Sequence, residues 1–141
     1  MSKEFNENKV AVITGGAKKI GRATAKKLAE QGFNILIHTG GKSIEEAKKT
    51  VEIVKEYGVK SNFVDGDLLN LTTINKIKEA AIKLGTPSVL INNAALRINE
   101  DFEKIIYEDW KKVMTVNVDA SFFMCPSFDW IYGKTKMGKN C

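Results

Sequence analysis

From Thr14 to Gly21 the chain reads Thr14, Gly15, Gly16, Ala17, Lys18, Lys19, Ile20, Gly21, a turn suited to close approach by an anion. Glycines let the backbone bend tightly toward a bound group, and a helix that starts at such a turn offers unpaired N–H groups to negative charge. Lys18 and Lys19 add two cations and favour a ligand with more than one phosphate. Three further clusters carry polar groups in short apolar surroundings: His38 and Thr39 followed by Lys42 and Ser43; Asp67 with Leu68; and Asn92, Asn93, Ala94, Ala95. Asn117 stands further on, behind Asp109 and Trp110. The two cysteines, Cys125 and Cys141, give neither a disulfide framework nor metal-ligand spacing, so no metal is expected.

The elements that must hold these groups follow from periodicity. Val10 to Ile13 is a compact β-branched run, and Ile35 to Ile37, the segment around Phe63 and Val64, and Val89 to Ile91 are three more. Helical patterns alternate with them. Ile20, Ala23, Thr24, Ala25 and Leu28 recur at helical spacing and stop at Gly32. Ile44, Ala47, Val51 and Val54 form the stripe of a second helix, for which Ser43 and Glu46 predict a capping box. Leu71, Ile74, Ile77, Ala81 and Leu84 mark a third helix, ended by Gly85 and Pro87. Tyr107 to Phe123 is expected to be one continuous fourth helix, with Trp110, Val113, Met114 and Val118 among its apolar positions.

Short, wholly apolar strands belong to a sheet covered on both faces, and strands joined through helices run parallel with right-handed crossovers. The expected fold is therefore α/β, a doubly wound, Rossmann-like parallel sheet. Ligands of such sheets sit at the carboxyl ends of the strands, and every polar cluster named above falls at such an end.

With 141 residues, 43% hydrophobic and 28% charged, the chain suits one globular domain. The opening nine residues are polar and lack the apolar stretch of a secretory signal, and no run is long enough for a membrane span. A cytoplasmic location without membrane attachment is expected. The net charge of +5 is spread over helical segments, with Lys48, Lys49, Lys76 and Lys78 interleaved with Glu45, Glu46, Glu52 and Glu79. Solvated helix faces explain that pattern better than a nucleic-acid footprint.

The turn matches the Thr-Gly-x-x-x-Gly-x-Gly fingerprint of the short-chain dehydrogenases/reductases, except that Lys19 replaces the middle glycine. A basic residue there resembles the loop of the pteridine-reductase-like branch. Asp67 and Leu68 resemble the family's pair beside the adenine ring. Asn92 to Ala95 resembles its Asn-Asn-Ala-Gly motif, with Ala95 for the glycine. Asn117 resembles the catalytic asparagine that holds a water in the family's proton relay.

The resemblance implies a sheet in the order 3-2-1-4 and hydride transfer between a nicotinamide cofactor and a carbonyl or alcohol substrate. It also implies homo-oligomers among intact relatives. Cofactor contacts are then expected from Gly15, Lys18, Lys19, Ile20, Gly21, His38, Thr39, Lys42, Ser43, Asp67, Leu68, Asn93, Ala94 and Ala95, with Asn117 catalytic. Members selective for NAD place a carboxylate at the end of the second strand, where this chain has none. Lys42, Ser43 and a loop lysine would instead neutralise a 2′-phosphate, so NADP(H) is preferred to NAD(H).

The family also uses a serine and a Tyr-x-x-x-Lys pair borne beyond a fifth strand. Tyr132 and Lys136 have that internal spacing but lie only 15 residues after Asn117, in a glycine-containing stretch poorly suited to a helix, and read as a lookalike. From Cys125 the resemblance fades. The sequence thus divides into a nucleotide-binding half, 1–124, and an atypical tail, 125–141, read as the product of a shifted frame: moving residues 133–141 by one base permits a segment like the family's entry into its next strand. A truncated product would leave the fourth strand as an open edge and would be expected to be marginally stable and prone to aggregate, or to bind nucleotide without turnover.

Overall fold

The computed structural model describes residues 6–127; Tyr132, Lys136 and most of the proposed tail lie outside them. Four strands, β1 (Lys9–Ile13), β2 (Asn34–Thr39), β3 (Ser61–Asp65) and β4 (Thr86–Ile91), alternate with α1 (Lys19–Glu30), α2 (Ile44–Lys55) and α3 (Leu71–Leu84). They pair in parallel in the order β3-β2-β1-β4, as expected. Each strand extends a residue or more beyond its purely apolar core, because ladder hydrogen bonding continues into polar flanks such as Lys9 and Asn34.

The two-residue repeat of a strand explains the two cores. Val10, Val12 and Leu36 point to one face and pack with Ile74, Ile77 and Ala81 of α3. Ala11, Ile13, Ile35 and Ile37 point to the other and pack with Ala25 and Ala29 of α1 and Val51 and Val54 of α2. The sheet is thus covered on both sides, which is why β1 and β2 read as unbroken apolar runs. In β4 the register with β1 shifts between Val10 and Ala11, where Pro87 supplies no N–H and Ser88 is passed over. Among the described residues β4 pairs on one side only, and Val89, Leu90 and Ile91 are half-buried.

Three local expectations need correction. Ser43 stands at the start of α2 but its side chain makes no capping bond, and Glu46 turns to Arg22 instead of back to residue 43. The charge-assisted bond to a guanidinium outcompetes the neutral amide partner of a capping box. Ile20 does not join the buried stripe of α1 and is 74% exposed, at the helix start facing the carboxyl rim. The fourth helix runs unbroken as expected, but not as a regular α-helix throughout: α4 (Tyr107–Met114) passes through a π-helical turn, Thr115–Asp119, into α5 (Ala120–Ser127). The π turn shifts the face presented by the residues after it, and Ala120 and Met124 reach the core; Trp110 before the turn is 56% exposed and Val118 within it is also uncovered. No described helix is long and apolar enough to cross a membrane.

Candidate functional site

The carboxyl ends of β1, β2, β3 and β4 bring the sequence clusters together on one rim. At the end of β1 the chain turns at Gly15, whose φ of +62° suits glycine and whose added Cβ would lie 2.9 Å from the Ala94 Cα. Gly21 packs the first turn of α1 against that bend, and a Cβ there would run into the Gly15 carbonyl oxygen. Lys19, where the fingerprint has glycine, keeps a left-handed φ of +51°. The backbone therefore holds the conformation that glycine would adopt freely, at a cost of about 1–2 kcal/mol for a residue with a Cβ.

The turn's own polar groups divide into two sets. Facing inward, the Gly16 N–H donates to the His38 carbonyl (3.0 Å) and the Gly15 N–H to His38 Nδ1 (3.4 Å). Facing the rim, the N–H groups of Lys19, Ile20 and Gly21 have no acceptor among the described residues; the Arg22 N–H is the first in α1 to find one, Lys18 O at 3.3 Å. The open N–H groups, the arrangement that suits an anion, are thus at the start of α1, with the two glycine N–H groups committed to holding the turn. Lys18 and Lys19 are exposed beside it, with no side-chain partner among the described residues.

Asn93 and Thr14 tie β4 to β1. Asn93 Nδ2 donates to the carbonyls of Thr14 (3.0 Å) and Gly15 (3.1 Å), and Thr14 Oγ1 accepts the N–H groups of both Asn93 and Ala94 at 3.0 Å. Ala95 follows, exposed on the rim. At the end of β2, Thr39 is buried, and its carbonyl accepts the Gly66 N–H at 3.1 Å. Lys42 and Ser43 form a short 3-10 turn, Gly41–Ser43, with Lys42 exposed and unpaired among the described residues. After β3, Asp67 Oδ1 accepts the Leu69 N–H (2.9 Å), leaving Asp67 exposed on the rim. Leu68 puts its side chain into the core, so toward a ligand it offers its main chain alone.

His38, the chain's one histidine, is 3% exposed. Its Nε2 lies 2.8 Å from the Gly66 carbonyl and must donate to it, so Nδ1 is free to accept the Gly15 N–H. Burial holds its pKa below the ordinary value of 6.5, against the opposing pull of the Gly66 carbonyl and of Asp65 and Asp67.

A second support was not legible in sequence. Arg22 Nε donates to Thr50 Oγ1 (2.7 Å), and its Nη2 donates to the Ala17 carbonyl (2.9 Å) and pairs with Glu46 (2.6 Å). Thr50 Oγ1 also approaches Ala17 O at 2.7 Å. The turn after β1 is therefore clamped to α2 from behind. The Arg22 guanidinium, with Lys49, holds the Glu46 carboxyl below the usual carboxylate range. Thr50, buried in α2 beside Ala47, Val51 and Val54, is a polar residue on the inner side of an amphipathic helix, the one sequence signal that could have pointed here.

Asn117 lies in the π turn. Its Oδ1 accepts the Leu96 N–H (2.7 Å) and its Nδ2 donates to the Leu96 carbonyl (3.0 Å), so both ends of the amide are engaged in anchoring the segment after β4. Its main-chain carbonyl accepts a hydrogen bond from Ser121 Oγ at 3.4 Å. π turns free carbonyls from regular helical bonding and recur at functional sites. Among the described residues no cluster of metal-ligating side chains occurs. Two concavities, of about 460 and 240 Å³, lie beside α3 and at the opposite strand ends, and neither is lined by rim residues.

The family model described as short chain dehydrogenase matches residues 9–134. The chain is 37% identical over 117 residues to the L-2,3-butanediol dehydrogenase of Corynebacterium glutamicum, covering 82% of this chain and 45% of that protein. It is 39% identical over 119 residues to the L-rhamnose 1-dehydrogenase (NADP(+)) of Thermoplasma acidophilum, covering 84% and 46%. Among solved structures, a blue fluorescent protein from a metagenomic library in complex with NADPH superposes with a TM-score of 0.81 at 26% identity, covering 87% of this chain and 51% of that one. The chain spans about half the length of the curated relatives it matches.

Proposed function

The chain belongs to the short-chain dehydrogenase family, and from that premise we propose that its rim binds NADP(H) in preference to NAD(H). The observation that carries this reading is the charge arrangement. Free N–H groups at the start of α1 are flanked by Lys18 and Lys19, and β2 runs into Lys42 with no carboxylate between. Two lysines at a helix start suit a pyrophosphate and Lys42 beyond β2 suits a 2′-phosphate, and a carboxylate that would select the free 2′-hydroxyl is lacking from residues 38–43. A relative named for NADP(+) and a structural neighbour holding NADPH support the same choice.

The nicotinamide would exchange hydride with a carbonyl or alcohol carbon of a small-molecule substrate. This chain's residues would bind and orient: the start of α1 takes the pyrophosphate, Asn93 and Thr14 hold the rim on which Ala94 and Ala95 meet the ribose, and Asp67 and the Leu68 main chain flank the adenine. Asn117 would serve through its main-chain carbonyl, holding a water at the π turn, since its amide is engaged with Leu96. Nucleotide binding without turnover is the second reading for these 141 residues alone, because of the relay groups named above the described residues carry Asn117. The division at residue 124 and a frame-shifted origin for 125–141 are part of the proposal; the nucleotide sequence across codon 125 tests them.

Fluorescence titration with NADPH and with NADH, paired with a carbonyl-reductase assay, tests the function. Saturable NADPH binding tighter than NADH supports the cofactor reading, and turnover separates enzyme from binder. Equal affinity for the two would overturn the NADP(H) preference, and no binding of either would overturn the site.

A further inference from the structure

Resting on the nucleotide-binding reading, we propose that His38 is a positioning residue. As a neutral Nε2–H imidazole it braces the phosphate turn against the segment after β3, and protonation of the ring loosens the cofactor's seat. The geometry is a strut between two walls of the site. One ring nitrogen accepts the Gly15 N–H, the other donates to the Gly66 carbonyl, and the residue's own carbonyl accepts the Gly16 N–H. Both consecutive glycine amides of the turn are therefore oriented by one residue. Gly66, in turn, donates to the Thr39 carbonyl and precedes Asp67, the carboxylate on the adenine side.

A ring so placed can serve in one protonation state alone. With a proton on Nδ1, two N–H groups would face each other at Gly15, and a buried donor would lose its acceptor. The charged groups that bear on the ring are Asp65 at the end of β3 and Asp67 beyond it, both favouring the cation, while Lys18 and Lys19 across the turn are exposed to solvent. Burial outweighs the two carboxylates and keeps the ring neutral. The ring is almost wholly enclosed, so it acts on a ligand through Gly15, Gly16 and Gly66, and is not itself a catalytic group.

The test uses the full chain and NADP+, which survives acid, with two variants that split the strut. His38→Asn retains an acceptor where Nδ1 sits, and His38→Gln retains a donor where Nε2 sits; neither titrates. Because the 2′-phosphate itself titrates near pH 6, the readout is the ratio of wild-type to His38→Asn dissociation constants between pH 8 and pH 5.5. That ratio should rise about 3- to 10-fold, the loss of one hydrogen bond. As the single histidine, His38 gives unambiguous ring 15N signals, which should show the Nε2–H tautomer and titration below 6.5 without any ligand. Hydrogen exchange at the Gly15 amide should quicken in His38→Gln and stay slow in His38→Asn. A ring that titrates at 6.5 as a tautomer mixture, or a dissociation-constant ratio independent of pH, would overturn the proposal. A correct tautomer with no binding of NADP+ by any form would overturn the nucleotide reading and its coupling to His38, leaving the strut as a structural brace.

Discussion

Thr14→Val separates a hydrogen-bonding role at the end of β1 from simple space filling. Valine matches threonine in shape and favours strand, so the change removes one oxygen and leaves packing intact. Thr14 is 2% exposed, and among the described residues its Oγ1 is the sole acceptor for two N–H groups, those of Asn93 and Ala94, both at 3.0 Å. Its own donation to the Ile91 carbonyl is long, at 3.4 Å, and that carbonyl keeps the Thr14 N–H at 3.0 Å. The loss therefore falls on the two donors. An unsatisfied buried N–H costs about 1–3 kcal/mol, and because Asn93 and Ala94 are half-buried the lower part of that range applies. The expected total is about 2–4 kcal/mol, a large share of the 5–15 kcal/mol that holds an ordinary domain together. Thr14→Ser keeps the oxygen and deletes a methyl, for about 1 kcal/mol. Urea denaturation followed by circular dichroism reads both. The decisive result is the order: valine should be the less stable variant, and a serine variant less stable than valine would refute the account of how β4 is held to β1.

Other perturbations probe the rest of the site. Lys42→Glu should weaken NADP+ about tenfold while leaving NAD+ within a factor of two, an effect that shrinks as salt is raised because residue 42 is exposed; equal losses for both nucleotides would remove Lys42 from the 2′-phosphate site. Lys19→Gly should relieve the left-handed strain, stabilising the fold by about 0.5–1 kcal/mol while reducing NADP+ affinity, and a destabilised variant in thermal melts would show that the strain is not borne there. The His38 pKa lies lower in the folded than in the unfolded chain, so below about 6.5 the unfolded state takes up the proton first. Stability is then fully present above that pH and falls as pH drops, by up to about 1.4 kcal/mol per unit, until the native ring also protonates; His38→Asn should flatten the slope. Asn117→Ala should free the segment after β4, raising amide exchange at Leu96, whereas unchanged exchange would deny that its amide anchors that segment.

How much of this was legible beforehand depended on the range of the interaction. The strands were readable because Val10 to Ile13 and Ile35 to Ile37 are too apolar for anything but a doubly covered strand, while their order was implied by the family resemblance. The clusters at the strand ends were readable because turn chemistry is local. The braces behind them were not. Arg22 meets Thr50 and Ala17 only once α1 and α2 lie side by side, and His38 joins segments 23 residues back and 28 ahead. Helical spacing reported an apolar face on residues 107–123 but not what covers it, nor the π turn, which inserts no diagnostic residue type.

Lys19 shows how those hidden braces govern the visible motif. A fingerprint glycine is replaced, yet the backbone there stays left-handed, so residue 19 does not dictate the shape of the turn. Its neighbours do. Gly21 admits the Gly15 carbonyl where a Cβ could not fit, Arg22 and Thr50 hold the Ala17 carbonyl, and His38 holds the Gly15 and Gly16 amides. Such clamps on either side of Lys19 can impose a conformation costing about 1–2 kcal/mol, because releasing it would break several bonds at once. The position is then free to exchange backbone ease for a charge. A cation placed beside the free N–H groups of α1 adds to the anion seat what glycine could not. The strain at residue 19 is thus evidence about the clamp, and on the proposed function the clamp, more than the glycine pattern, would make the turn a binding surface.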